Sequence, residues 1–371
     1  MRYLVIIATI AAFSLLHTSC SPEESPRDQI PMEAAFTDAD AVLRNCVATL
    51  YNHVGGNTDG QGLQGTCRGV YDLQTLGGDE LLIPTRGADW YDGGLWQAMY
   101  MHSWSAGHDL PKNAWLYLYK VVALCNNSLE QIDAHRHLLT VDQYEEYKAE
   151  VRAFRAIFYW YLMDLFGRVP LVLSTDVSMN QVKQSERSEV YHFIVNELQE
   201  VLDLLAFENS VKRSNYYGRV TRPVALFVLA KLMLNAEIYA DDNWTDKNHI
   251  DGKLGNNDIV LFRLADVLLM RAEAMYRNGE NGQPYYDAIR ARAGKSPRPI
   301  SLKNLLDERL MELCFEGWRR PDLIRFRQYE SLFEGDLFND KVDESDGHTT
   351  VFPIPADVMA LNNNLKQNPG Y

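Results

Sequence analysis

Between Glu150 and Phe166 the apolar residues Val151, Phe154, Phe158, Tyr161, Leu162, Leu165 and Phe166 recur at helical spacing, and Gly167 stands where a terminating glycine belongs. The same period runs through residues 115–132, 190–205, 224–239, 261–276 and 302–315, while strand-like alternation is scarce. A chain patterned this way buries its apolar stripes against other helices, because a 3.6-residue period cannot line one face of a strand. The fold class that follows is mainly α. Helices of this length joined by short turns predict antiparallel pairs stacked side by side, and a tetratricopeptide-like superhelix is a reasonable form for that. The 34-residue consensus of such repeats is not legible, so the repeat rests on spacing alone. With 371 residues the chain is long enough for one large domain or two.

Two stretches interrupt the helices. Residues 52–108 are loop-rich, with many glycines and a heavy load of Trp and Tyr, and the tail after Phe333 carries Pro353, Pro355 and Pro369, which block a long helix. The N-terminus has a different character. Met1-Arg2 is followed by an apolar run over residues 4–16 that ends in His17-Thr18-Ser19-Cys20. A charged start, an apolar core and a small residue before the cut describe a secretory signal peptide, too short for the ~20 residues that span a bilayer. Cys20 directly after a small residue predicts lipoprotein processing, with its thiol acylated, although His17 stands where a leucine is usual. An ordinary secreted protein cut nearby is the alternative reading. Residues 1–19 are thus read as signal peptide, 20–35 as a Pro-, Glu- and Ser-rich tether behind a lipidated Cys20, and 36–371 as the helical body. The membrane is reached through the lipid anchor only.

Charge narrows the partners. Thirty-six basic residues against 50 acidic ones give −14, and signal cleavage removes a further cation, Arg2. That balance argues against nucleic acid, whose phosphates are held by clustered Lys and Arg. The cysteines after Cys20 are Cys46, Cys67, Cys125 and Cys314, and none forms a C-x-x-C pair, so zinc and thioredoxin-type readings have no support. Disulfides are possible in an exported protein. Cys125 and Cys314, however, lie inside apolar helical patterns and read as buried free thiols.

Several catalytic signatures match by letters only. Gly60-Gln61-Gly62-Leu63-Gln64-Gly65 spells G-x-G-x-x-G but lacks the preceding strand and following helix of a dinucleotide site. Ser103-Trp104-Ser105-Ala106-Gly107 lacks the first glycine of a nucleophile elbow, and no H-E-x-x-H is present. Asp241-Asp242-Asn243 lacks EF-hand spacing. Asp79 and Glu80 are adjacent and point apart, whereas glycosidase carboxylates face one bond from two sides. No cofactor is implied by any of these.

What stands out is Thr85-Arg86-Gly87-Ala88-Asp89-Trp90-Tyr91-Asp92-Gly93-Gly94-Leu95-Trp96, where two tryptophans and a tyrosine share a Gly/Asp loop with an arginine. Large rings on a loop are costly unless buried or used. Flat ring faces suit the apolar face of a pyranose, while Arg86 and Asp89 offer bidentate hydrogen bonds to its hydroxyls. Arg86, Asp89, Trp90 and Trp96 are therefore the candidate ligand-binding residues. The competing reading packs these rings onto the helices.

The chain resembles the SusD/RagB family, outer-membrane lipoproteins that capture nutrients at the cell surface. The resemblance is carried by 152–156 and 164–172, by Gly218-Arg219-Val220-Thr221, by Asn257-Asp258-Ile259 with 263–274, and most specifically by Glu308-Arg309 through Glu316-Gly317-Trp318-Arg319-Arg320-Pro321-Asp322-Leu323-Ile324-Arg325. Phe352-Pro353-Ile354-Pro355 and the ending at Asn368-Pro369-Gly370-Tyr371 are similar to the family's C-terminus. The resemblance implies a SusD-like superhelical body with tetratricopeptide-like pairs, no catalysis, an oligosaccharide ligand and a TonB-dependent SusC-like transporter as partner. It also implies that Ser21-Pro22-Glu23-Glu24 is an export signal to the outer surface. Members usually carry a much longer segment where this chain has only a short polar loop around 240–257. A transporter-associated scaffold with reduced ligand binding is thus a rival reading, with a peptide binder or a glycoside hydrolase behind it. Arg319, Arg320 and Arg325 are read as ion-paired with acids such as Glu308, Glu312 or Asp322, and Trp160, Tyr161, Trp318 and Pro321 as structural.

Overall fold

The computed structural model describes residues 32–56, 58–64, 67–207, 216–240, 262–329 and 346–371. The residues read as signal peptide, Cys20, most of the expected tether and the segment after Ala240 lie outside them. The chain divides between Thr37 and Asp38, and the short helix Met32–Ala35 belongs to the first unit. All that follows concerns the second.

Its helices are α1 (residues 39–55, with a π-helical stretch Leu43–Ala48 inside), α2 (Val70–Leu76), α3 (Leu95–Tyr100), α4 (Asp109–Ala134), α5 (Val141–Phe166), α6 (Arg187–Val201), α7 (Arg222–Leu234), α8 (Ala236–Ala240), α9 (Leu264–Arg277), α10 (Gln283–Arg292), α11 (Leu302–Leu313), α12 (Arg319–Arg325) and α13 (Ala356–Leu361). Among the described residues there is no strand, only the isolated bridges Arg86–Asp89 and Pro170–Gln184. The protein is mainly α, as its periodicity predicts. Helices pack on their sequence neighbours, α4 on α5, α5 on α6 and α9 on α10.

α5 is the centre of the core. Thr140 caps it, its hydroxyl taking the Gln143 N–H at 3.2 Å while the Gln143 side chain accepts the Thr140 N–H at 3.0 Å. That capping box starts the helix at Val141, a full turn and more before the apolar pattern begins. Gly167 ends it at φ +67, where a side chain would be strained, with its N–H on the Met163 carbonyl. Every residue from Ala153 to Phe166 is buried, so the helix is covered on all sides and its polar members need partners. Arg155 donates to Asn126 at 2.8 Å and pairs with Glu197. Asp164 accepts from Gln74 and Tyr239, each at 2.8 Å.

The irregular C-terminal tail closes over the end of α5. The Phe352 N–H donates to the Leu165 carbonyl at 2.7 Å, and Asn368 donates to the carbonyls of Phe166 and Phe352. Trp104 Nε1 reaches the Tyr371 hydroxyl at 2.6 Å. Phe352 and Ile354 are fully buried.

A buried ionic chain links α7, α9, α11 and α12. Lys231 meets Asp266 at 2.6 Å, Asp266 meets Arg309 at 2.8 Å, Arg309 meets Asp322 at 2.7 Å, Asp322 meets Arg325 at 2.7 Å, and Arg325 meets Glu273 at 3.0 Å. Burial alone pushes the Asp322 carboxyl up, but the facing Arg309, Arg325 and Lys231 overcome it and hold it far below the usual carboxylate range. The Lys231 ammonium also sits 3.9 Å from the Trp318 ring centre. Arg325 thus pairs with Asp322 as anticipated. Arg319 and Arg320 do not use the acids expected of them: Arg319 holds Asp79, and Arg320 faces Asp164 at 3.5 Å and donates to the Thr350 carbonyl. Trp160, Tyr161 and Trp318 are buried, with the rings of Trp160 and Trp318 stacked at 5.9 Å.

One thiol departs from expectation. Cys125 is buried, but Cys314 is exposed, because α11 stops at Leu313 and the chain turns to extended backbone at Cys314. The apolar pattern ran two residues beyond the helix.

Candidate functional site

The loop between α2 and α3 is fastened at its start. The Asp79 carboxylate accepts two hydrogen bonds from Arg319, and Glu80 accepts the Phe315 N–H at 3.2 Å. Burial, with Asp79 adding to it, pushes the Glu80 carboxyl up to about 7, opposed by that N–H. Both carboxylates are thus engaged in fastening the loop to residues 315–319.

From Pro84 to Gly93 every residue is exposed. Arg86 and Asp89 exchange two backbone hydrogen bonds of 3.0 Å across a tight turn, with Gly87 at φ +62. The exposed side chains of Arg86 and Asp89 have no ion pair among the described residues. Trp90 follows in left-handed backbone, φ +64, with 47% of its surface open, and Tyr91 is 58% open. The chain then turns through Asp92, Gly93 and Gly94, all at positive φ, and the Gly94 N–H closes on the Tyr91 carbonyl at 2.7 Å. It enters α3 at Leu95.

Trp96, the other expected platform, is 0% exposed. Its place on the inner face of α3 buries the ring, so it cannot stack on a ligand. It supports Trp90 instead: the ring centres are 5.9 Å apart and tilted by 51°. Its Nε1 donates to Asp92 Oδ2 at 2.6 Å, and the Arg68 guanidinium lies 5.5 Å over its ring. Arg68 Nη2 donates to the same Asp92 oxygen at 3.0 Å. The structure therefore brings Arg86, Asp89 and Trp90 to one exposed loop, moves Trp96 beneath it and adds Tyr91. Arg68 and Asp92 escaped the sequence reading. Asp92 stands outside α3 at φ +43, so its bond to Trp96 is set by the turn through Gly93 and Gly94, which no helical spacing marks.

The other candidate chemistries do not assemble. Gly62, of the G-x-G-x-x-G letters, is a packing glycine: a Cβ there would lie 2.5 Å from the Gly55 carbonyl oxygen. Ser105 Oγ is 3.3 Å from His108 Nδ1, but that nitrogen already accepts the Ser105 N–H at 2.7 Å, so it is not free to take the hydroxyl proton. A cavity of about 10 Å³ among Gln74, Trp160, Lys231, Tyr239 and Trp318 has room for one water and none for a sugar. What the exposed loop can do is offer a flat indole and phenol, a guanidinium and a carboxylate to a ligand that is apolar on one face and hydroxylated at its edge.

Two family models match the chain, the SusD family over residues 233–371 and a group described as starch-binding, associating with outer membrane, over residues 83–234. The chain belongs to the SusD/RagB family. Starch-binding protein SusD of Bacteroides thetaiotaomicron is 33% identical over 123 residues, which is 31% of this chain and 22% of that protein. A SusD-like protein of Bacteroides ovatus is 28% identical over 242 residues, 62% of this chain and 39% of the relative. The matches thus span well under half of either curated relative. Among solved structures, a laminarin binding SusD-like protein superposes with a TM-score of 0.67 at 18% identity, covering 90% of this chain and 99% of its own. Surface glycan-binding protein A from Bacteroides thetaiotaomicron in complex with laminarihexaose gives 0.69 at 16% identity, covering 90% and 100%. These structures establish the fold.

Proposed function

We propose that this chain is a non-catalytic, lipid-anchored protein of the outer membrane that captures an oligosaccharide at the cell surface and delivers it to a TonB-dependent SusC-like transporter. The observation that carries the reading is the exposed Trp90–Tyr91 face, flanked by Arg86 and Asp89 and held away from the core on a left-handed turn. Two large rings exposed side by side make a contiguous apolar face, the kind of feature that marks a binding surface, and an indole face matches the apolar face of a pyranose. The relatives support the same class: their names describe starch, laminarin and glycan binding, and one structure holds laminarihexaose. Lipidation at Cys20 and tetratricopeptide-like pairing of the helices belong to this proposal. Among the described residues no helix is long and apolar enough to cross a membrane. The burial of Trp96 favours one rival, a transporter-associated scaffold with reduced ligand binding, because it leaves one tryptophan platform in place of two.

Native gels cast with a panel of polysaccharides separate the two. The form starting after Cys20 is run beside a Trp90→Ala, Tyr91→Ala double variant whose circular-dichroism spectrum is unchanged. Retardation of the wild type by one glycan, lost in the variant, is the expected result. Retardation by none moves the assignment to the scaffold.

A further inference from the structure

We infer that Arg68 and Asp92 are positioning residues that fix Trp90 in its outward pose before any ligand arrives. The purpose of that pose rests on the sugar-platform reading above; the fixation of the ring does not.

Six non-glycine residues in the described structure have left-handed backbone: Arg68, Trp90, Asp92, His102, Phe315 and Arg327. Three of the six meet in this one assembly. Such conformations persist only where the surroundings over-determine them, and they gather at sites that need a fixed geometry. Here the determining contacts can be named. Asp92 Oδ2 receives two donors, Trp96 Nε1 at 2.6 Å and Arg68 Nη2 at 3.0 Å, so Asp92 cannot relax from φ +43 without losing both. Arg68 is itself pinned at both backbone groups: its N–H donates to the Asp72 carboxylate and its carbonyl accepts from Asn113 Nδ2 at 3.2 Å. The Asp59 carboxylate flanks the guanidinium at 3.8 Å.

The turn that follows Trp90 is consequently closed by the Tyr91–Gly94 hydrogen bond and fastened at its middle by Asp92, while the Trp90 ring leans on Trp96 from outside. A half-exposed ion pair alone would do little. This one shares its carboxylate with a fully buried indole, which ties the loop to the core. A ring already fixed needs no ordering when a ligand docks, and the affinity gained is the ordering cost avoided.

The test begins without ligand. The chain starting after Cys20 is labelled with 5-fluorotryptophan, and the fluorine resonance of Trp90 is identified by its loss in Trp90→Phe. Wild type should give one narrow Trp90 line. Arg68→Met, which keeps an apolar stem over Trp96 and removes the charge, should broaden or split it, with the thermal midpoint within about 2 °C of wild type. Asp92→Asn keeps an oxygen for Trp96 and weakens the hold on Arg68, so it should give an intermediate line, and it decides the matter if Arg68→Met misfolds. Titration with laminarihexaose and maltoheptaose should then show roughly three- to tenfold weaker binding for Arg68→Met. A Trp90 line unchanged in both variants overturns the inference, whether or not affinity falls, as does a wild-type line that is already broad. If wild type binds neither oligosaccharide while the variants broaden Trp90, the sugar reading falls and the positioning role stands.

Discussion

Truncating Trp96 to alanine removes a fully buried indole together with the hydrogen bond to Asp92, an expected loss of about 3–5 kcal/mol. Trp90→Ala removes a ring that is nearly half in solvent, and its effect on stability should stay within about 0.5 kcal/mol while glycan retention is lost. Urea unfolding of the two variants side by side checks this, and equal losses would show that Trp90 is part of the core. The residue-scale lesson lies in that contrast. Composition marked the loop as a site, because two tryptophans beside Arg86 and Asp89 in a glycine-rich stretch need explaining. Composition could not say which ring faces out. That depends on where α3 begins, which Gly93 and Gly94 fix by positive φ, a property no spacing rule reads.

At the scale of elements, helices with a sustained apolar period were legible and their ends were not. α5 was visible from Glu150 onward, but its first turns are polar, and only the Thr140–Gln143 box starts them. The predicted helix over 224–239 is two, α7 and α8, because Asn235 turns its side chain back onto the Lys231 carbonyl and caps the first. The α11–α12 turn carries a pH dependence. The Glu80 carboxyl that holds Phe315 N–H is pushed up to about 7, whereas unfolded it titrates near 4.5. Between those values the folded state binds more protons, so this group's stabilising contribution is full below about 4.5 and lost as pH rises toward 7. Glu80→Gln keeps an acceptor for the amide and removes the buried charge. Thermal melts should show it more stable than wild type at pH 8, with a flatter profile between pH 5 and 7; an unchanged profile would place the titration elsewhere.

Across the whole molecule, the ionic chain from Lys231 to Glu273 ties four helices together in the buried interior, where screening by bulk solvent is weak. Arg309, Asp322 and Arg325 were readable within one Arg-rich motif, but their partners Asp266 and Glu273, and Lys231 beyond them, were not, since those lie far off in sequence. Removing one acid strands its cations. Asp322→Asn should cost about 3–5 kcal/mol by leaving Arg309 and Arg325 short of charge, a far larger loss than for an exposed pair such as Arg327–Glu237. The sign with pH is opposite to that of Glu80: a carboxyl held low contributes above its ordinary value and loses that contribution as acid is added. Guanidinium melts at pH 7 and pH 3 check both statements, and a loss no greater than for Arg327→Ala would show the network to be slack.

The same network has a meaning for chain length. Lys231 and Asp266 face each other from opposite sides of residues 241–261, and the rings of Phe227 and Phe262 touch at 4.6 Å across the same span. Both banks of that crossing are moored to the core by contacts that do not involve the crossing itself. Lengthening a loop whose ends are already fixed costs only about 0.6 kcal/mol per doubling. An insertion between Ala240 and Phe262 should therefore leave the Lys231–Asp266 and Phe227–Phe262 contacts in place, and an unchanged thermal midpoint of such a variant checks it.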